Sequence, residues 1–331
     1  MEFRPQDLHQ AKQLIDSSQN ILIIAHRRPD GDAIGANLAL RLALEKLGKD
    51  VTSASIDEVN REYFFLPYVY LMVQNFGKPE DYDLIITVDC GDSKITNYQK
   101  EFPYIWDGDT PVINIDHHAT NDFFGTVNIV KTDAASATHI LYFLFQEFHW
   151  KIDYEMANLL MAGISFDTGH FRHDNTTPEV LEVASKLMEL GARVDFIARH
   201  MYRQVPISTL KVWGNALKRA RINEKKIVST VVIESDTQEH GADMDELKTG
   251  ELITYLNGVP DSLFSMVVSE KDGLIKGSFR TSNDNVDVAK IAKELFQGGG
   301  HKKAAGFAMP GKIELKDGKV KVMSEGFNSE I

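Results

Sequence analysis

His26, Asp30 and Asp32 fall within one short stretch, His26-Arg27-Arg28-Pro29-Asp30-Gly31-Asp32. One imidazole and two carboxylates on a turn forced by Pro29 and Gly31 are ligands for a hard or borderline divalent ion such as Mn²⁺ or Mg²⁺. The stretch also reads as an ordinary strand-to-helix loop, with Asp32 as N-cap and Asp30 as a turn residue. Three further segments offer matching groups: Asp89 before Cys90-Gly91-Asp92, the run Asp116-His117-His118, and Asp167 before Thr168-Gly169. Singly, these are a turn start, a pair of structural histidines and a helix stop. One ligand cluster explains all four segments together.

The elements that must position these groups follow from periodicity. Continuous aliphatic runs predict buried strands at 20–26, 51–56, 83–89, 111–116 and 126–130. Helical patterns occupy 8–18, 33–47, 136–148, 153–166 and 178–191. Strands alternating with helices imply an α/β fold with a doubly wound parallel sheet. Ligand sites in such sheets lie outside the carboxyl ends of the strands. His26, Asp89 and Asp116 each end a strand, so their groups are expected at one rim.

From Val194 to Asn223 the pattern is helical, interrupted at Pro206, and carries Lys211, Lys218, Arg219 and Arg221. It is expected to be a helical connector whose charges form a solvated face. Beyond it the strands come in pairs. A strand at 227–233, a helix at 244–256, a hairpin of 262–269 with 273–281 and a helix at 286–295 predict a smaller mixed α/β domain. The polar end, 312–331, is expected to fray. The expected organisation is 1–193, a 194–223 linker and 224–331.

The chain has 331 residues, 43% hydrophobic and 25% charged, with a formal net charge of -12. That is two soluble globular domains. The acidic balance argues against wrapping long duplex nucleic acid, which calls for a broad basic face, but not against a short nucleotide in a local pocket. Cys90 is the single cysteine, so no disulfide forms within the chain. The polar N-terminus lacks a signal-peptide core, and the longest apolar run, Ala157 to Phe166, is too short to span a membrane. These features predict a cytoplasmic protein without a membrane partner.

A second informative stretch is Gly298-Gly299-Gly300-His301-Lys302-Lys303. Its glycines let the backbone approach a ligand and turn N–H groups toward an anion. His301 can hydrogen-bond a phosphate or stack on a base, and Arg280 can grip a phosphate with two donors.

Asp116-His117-His118 resembles the signature of the DHH phosphoesterase superfamily, and His26-x-x-x-Asp30-Gly31-Asp32, Asp89 and Asp167-Thr168-Gly169 are similar to its other motifs, in the same order. The glycine-rich stretch resembles the DHH-associated nucleotide-binding domain; Phe279 and Thr281 depart mildly from its arginine motif. The resemblance runs from about residue 10 to 310. It implies two Mn²⁺ ions, with Mg²⁺ as the alternative. His26 and Asp30 serve one ion, Asp32, His117 and Asp167 the other, and Asp89 bridges. Two such ions bind a water as hydroxide for in-line attack on phosphorus. Asp116 is expected to fix a histidine ring, and His118 to contact the phosphate or help the leaving oxygen. His170, Arg172 and His173 are either phosphate contacts or a surface loop. Arg280, Gly299, Gly300 and His301 are implied substrate contacts. The second domain is expected to cap a cleft entered by hinge motion at the linker.

The compact two-domain chain looks most like the bifunctional oligoribonuclease and pAp phosphatase group, acting on short RNA or DNA oligonucleotides and small nucleotides. A homodimer is compatible with this. The alternatives are a cyclic di-AMP/pApA phosphodiesterase or polyphosphate hydrolase of the same superfamily, and a catalytically silent nucleotide sensor.

Overall fold

The computed structural model describes residues 1–330 except 107, 203–204, 245–246, 248, 317–318 and 325–326. The side chains of 202, 301, 315–316, 319–320, 322, 324 and 327–330 are likewise outside the described residues. The chain forms two compact units, Met1–Gln204 and Val205–Ile331.

The first unit contains α1 (Pro5–Ser17), β1 (Asn20–Ala25), α2 (Gly31–Lys46), β2 (Asp50–Ala54), β3 (Met72–Val73), β4 (Leu84–Val88), β5 (Val112–Asp116), β6 (Val127–Val130), α3 (Ala137–Glu147), α4 (Tyr154–Asp167), α5 (Pro178–Glu189) and α6 (Val194–Tyr202). Its six strands are all parallel, in the order β3-β2-β1-β4-β5-β6. The aliphatic runs are explained by a separate core on each face. Ile21, Ile23 and Ala25 of β1 pack into one cluster, Leu22 and Ile24 into another, and β4 divides in the same way. Strand order reverses between β1 and β4, which leaves a crevice at their carboxyl ends.

The helices α2 and α4 cross closely because glycines face the contact. A Cβ at Gly35 would lie 2.5 Å from the Leu159 carbonyl, and one at Gly163 would collide with Asp32 Oδ1 and the Thr138 hydroxyl. This crossing aligns the start of α2 with the end of α4.

The second unit contains α7 (Ile207–Arg219), β7 (Arg221–Ile222), β8 (Ile227–Val232), α8 (Glu234–His240), α9 (Thr249–Leu256), β9 (Phe264–Lys271), β10 (Leu274–Arg280), α10 (Val288–Phe296), β11 (Gly299–His301), β12 (Ala304–Pro310), β13 (Lys312–Lys316), β14 (Lys319–Ser324) and β15 (Phe327–Glu330). A mixed sheet, β11-β12-β10-β9-β8-β7, has β8 and β9 parallel and the other pairs antiparallel. The expected hairpin is β9–β10.

Four expectations change. The 194–223 stretch is divided: α6 packs on α4 within the first unit, and α7 packs on α8 and β8 within the second. Each helix buries an apolar stripe of its own, Ile197 and Met201 in α6 and Val212, Trp213 and Ala216 in α7. Arg219 is not a solvated charge; it pairs bidentately with the buried Asp236. The helix expected from 244 begins at Thr249, after the unforeseen α8, which Gly241 ends with φ +63°. The C-terminal residues form an antiparallel sheet, β13-β14-β15, instead of fraying. The alternation Lys312-Ile313-Glu314-Leu315 against Lys319-Val320-Lys321-Val322 is a period-two pattern, and its register pairs Ile313 with Val322 and Leu315 with Val320.

Candidate metal centre

The loop after β1 sets the first three groups. His26 Nδ1 lies 2.7 Å from the Arg27 carbonyl, which can only accept, so Nδ1 carries a proton and Nε2 is the nitrogen available to a metal ion. That Nε2 lies 3.3 Å from Asp89 Oδ2 and 3.7 Å from Asp30 Oδ2. Asp30, not Asp32, is the N-cap of α2. Its Oδ1 accepts the N–H groups of Asp32 and Ala33, which leaves Oδ2 toward His26. Asp32 is fully buried at the start of α3. Its Oδ2 accepts the Ala137 N–H at 2.6 Å, and its Oδ1 accepts the Thr138 N–H at 3.0 Å and hydroxyl at 2.6 Å. The partial positive charge of that helix end favours the anion.

Asp89 follows β4 with φ +56°, a left-handed conformation that an aspartate tolerates better than most residues. Its two oxygens serve two imidazoles: Oδ2 faces His26, and Oδ1 lies 3.4 Å from His117 Nε2. His117 Nε2 is also 3.2 Å from Asp167 Oδ2 at the end of α4. Asp116 is fully buried, with Oδ1 2.8 Å from His118 Nδ1. The six residues expected to hold metal therefore gather in two groups, His26-Asp30-Asp89 and Asp32-His117-Asp167, the ligand atoms of each within 4.8 Å of one another. A third group, Asp89-His117-His118, adds His118 to the same centre.

The electrostatics match a centre built for cations. Burial opposes charge on His26, yet hydrogen bonds to Asp30 and Asp89 outweigh it and raise its pKa to about 11. Burial likewise opposes charge on His117, and Asp89, Asp167 and Asp32 raise it to about 10. Burial would raise Asp89, but the two imidazoles hold it far below the usual carboxylate range. Burial, with the charge of Asp89, pushes Asp32 up to about 7, and burial with the charges of Asp32 and Asp89 pushes Asp167 well above its ordinary value. Positive charge is thus short on the Asp32–Asp167 side. Among the described residues, the buried Asp89 Oδ1 and Asp167 Oδ2 accept no hydrogen bond. Orphaned carboxylate oxygens beside imidazole nitrogens, in a donor set mixing nitrogen and oxygen, fit a pair of divalent cations.

Several contributors carry no sequence signal as ligands. Thr138 and the Ser136 N-cap of α3 hold Asp32 and its helix end. Asn121 donates to Asp116 Oδ2 at 2.6 Å. A serine two residues before a threonine at a helix start is a readable cap; its service to a distant aspartate is not. After Asp167, Gly169, His170 and Phe171 all have φ near +60°. Arg172 Nε donates to the Gly169 carbonyl and His173 Nδ1 to that of Asp167, so both brace this turn.

His139, in the first turn of α3, accepts the Ala135 N–H on Nδ1 and is 1% exposed. Burial lowers its pKa to about 4, only partly opposed by Glu179. Between about pH 6.5 and 4 the unfolded chain therefore binds the proton that the folded one refuses. The contribution of this group to stability falls as pH drops through that window, by about 3 kcal/mol in the limit, and is constant above it. Melting curves of the Mn²⁺-loaded wild type and His139→Gln are expected to diverge below pH 6.5, the variant losing less.

In the second unit, Arg280 ends β10 and pairs with Ala304 of β12, which on its other side pairs with the backbone of His301. Burial presses the Arg280 pKa down. Gly300 has φ +141°, and a Cβ there would sit 2.5 Å from the Ala304 carbonyl; Gly299 faces open space. The His301 side chain lies outside the described residues.

Residues 20–164 match the DHH family, N-terminal domain, and residues 223–325 match the DHHA1 domain. A bifunctional oligoribonuclease and PAP phosphatase NrnA of Thermus thermophilus is 31% identical over 293 residues, covering 88% of this chain and 84% of that protein. This chain belongs to the DHH family. It is a metal-dependent phosphoesterase. The protein of the same name from Bacillus subtilis is 24% identical over 289 residues, covering 86% of this chain and 88% of that one. An exopolyphosphatase-related protein from Bacteroides fragilis shares the fold, with TM-score 0.84 at 21% identity over 92% of this chain and 91% of that one. The DHH domain accounts for the parallel sheet and the DHHA1 domain for the separate mixed sheet. Among the described residues, no helix is long and apolar enough to cross a membrane.

Proposed function

We propose that this DHH protein is a cytoplasmic, Mn²⁺-dependent hydrolase of short oligoribonucleotides and of small nucleotides such as pAp. The observation that carries the metal assignment is the sharing of Asp89 between two imidazole-carboxylate groups. His26 and Asp30 would hold one ion and Asp32, His117 and Asp167 the other, with an Asp89 oxygen facing each group. Mixed imidazole and carboxylate donors favour Mn²⁺ over Mg²⁺. When bound, such a pair supplies an activated water and withdraws charge from a phosphoryl oxygen.

The chain's own residues do the rest. Asp30 and Asp32 are immobilised by helix N–H groups, so the donor set is ordered before substrate arrives. Asp116 orients the His118 ring, which meets the phosphate or the leaving oxygen. Arg280 and the Gly299–Gly300 backbone grip a nucleotide phosphate. The names of the two NrnA relatives, both oligoribonucleases and PAP phosphatases, support this substrate class.

The test is a panel of pAp, di- and trinucleotides, pApA, cyclic di-AMP and polyphosphate, incubated with Mn²⁺ or with EDTA and resolved by anion-exchange chromatography. Mononucleotides are expected from the short RNAs, AMP and phosphate from pAp, and nothing under EDTA. Turnover confined to polyphosphate or cyclic di-AMP assigns the chain to another branch. Tight Mn²⁺ binding without any turnover identifies a sensor.

A further inference from the structure

A buried chain of hydrogen bonds leads to His118 without giving an atom to the donor groups. Thr87 of β4 and Asn114 of β5 are register partners, fully buried in otherwise aliphatic strands. The Thr87 hydroxyl donates to Asn114 Oδ1 at 3.0 Å. Asn114 Nδ2 donates to Asn121 Oδ1 at 3.2 Å, and that oxygen also accepts the Phe123 N–H at 2.8 Å. Asn121 Nδ2 donates to Asp116 Oδ2 at 2.6 Å and to the Cys90 carbonyl at 3.2 Å. Asp116 then receives the His118 N–H on Oδ2 at 3.2 Å and its ring Nδ1 on Oδ1 at 2.8 Å.

The direction of this chain is dictated at both ends. A carboxylate and a carbonyl only accept, so Asn121 must turn its amino group to Asp116 and Cys90. An amide N–H only donates, so Phe123 holds the oxygen on the opposite side. The Asn121 amide cannot flip without breaking contacts on both sides. Asp116 is fixed through it to two strands and a loop, and the His118 ring is fixed by Asp116.

We propose that Asn121 is a positioning residue: it locks Asp116 so that His118 presents Nε2 to the oxygen leaving phosphorus. The inference rests on the phosphoesterase reading and on the place given there to His118. Removing Asn121 takes away no metal-ligating atom, so its effect is separable from metal loss.

The experiment compares wild type, Asn121→Ala, His118→Ala and the double variant on two substrates. One is pApA, whose ribose oxygen leaves poorly without a hydrogen bond. The other is the p-nitrophenyl ester of thymidine monophosphate, whose phenolate leaves unaided. Asn121→Ala is expected to lower kcat on pApA by about 10- to 100-fold, as for other residues that orient a site. KM should stay within about threefold, which marks a loss confined to the transition state. Manganese content is measured on the same samples and should hold; the melting temperature is expected to fall while the variant stays folded at the assay temperature, because the buried Asp116 and Asn114 each lose a partner. On the p-nitrophenyl ester the loss should shrink to within about threefold, and the double variant should be no slower than His118→Ala. Equal losses on both substrates, multiplicative losses in the double variant, or loss of manganese would each overturn the proposal. If Asn121→Ala does not fold, Asn121→Ser carries the same comparison. A wild type inert on both substrates refutes the substrate reading itself, a result distinct from any failure of Asn121.

Discussion

Asp89→Ala is expected to empty both halves of the centre and to lower turnover on the order of 10³-fold or more, the scale of losing the main electrostatic element of a site. Among the described residues, Asp89 is the one carboxylate with an oxygen toward each imidazole group, 3.3 Å from His26 and 3.4 Å from His117. It is 3% exposed, so water does not replace it. Its backbone is left-handed, with φ +56°, and its side chain turns one oxygen to each imidazole. Asp89→Asn preserves the shape but not the charge, and should fail nearly as badly. Metal content by mass spectrometry, read beside the Mn²⁺-dependent rate, decides the matter: either variant retaining two ions and wild-type turnover would remove the basis of the assignment.

Gly163→Ala carries the second large effect, from a residue that holds no ligand. The added methyl would occupy the space of Asp32 Oδ1 and the Thr138 hydroxyl. Either α4 withdraws from α2 or Asp32 leaves the start of α3. The first costs about 1–3 kcal/mol, as overpacking usually does. The second removes a ligand from the Asp32-His117-Asp167 group. The expected outcome is a lowered melting temperature with weakened uptake of one ion. Titration of Mn²⁺ by calorimetry, with thermal denaturation of the apo form, separates the two. Wild-type stability together with two full-strength sites would show that the crossing is looser than its geometry implies.

The sequence made the ligand residues legible because chemistry of this kind demands particular side chains at strand ends, and strand ends announce themselves as the close of an aliphatic run. As candidates, His26, Asp89 and the Asp116-His117-His118 run are legible in that way. Which of Asp30 and Asp32 caps α2 was not legible, since both suit the position; the choice depends on α3, which arrives over a hundred residues later to claim Asp32. Gly163 and Asn121 were invisible for the same reason: their importance lies in what is opposite them. The C-terminal sheet is hidden because its charged residues mask a period-two alternation; the helical character of 194–223 is legible, but its division between the two units is not, because a break at Pro206 resembles a linker until each helix is seen to bury its own stripe.

Asp30 and Asp32 each rest on the opening turn of a helix, one on α2 and the other on α3. Each such turn lends roughly half a unit of positive charge to the carboxylate seated on it. A crowd of acids that would otherwise burst apart is therefore held in readiness by the scaffold itself. Both carboxylates are thus seated by backbone N–H groups, whichever divalent ion the centre takes.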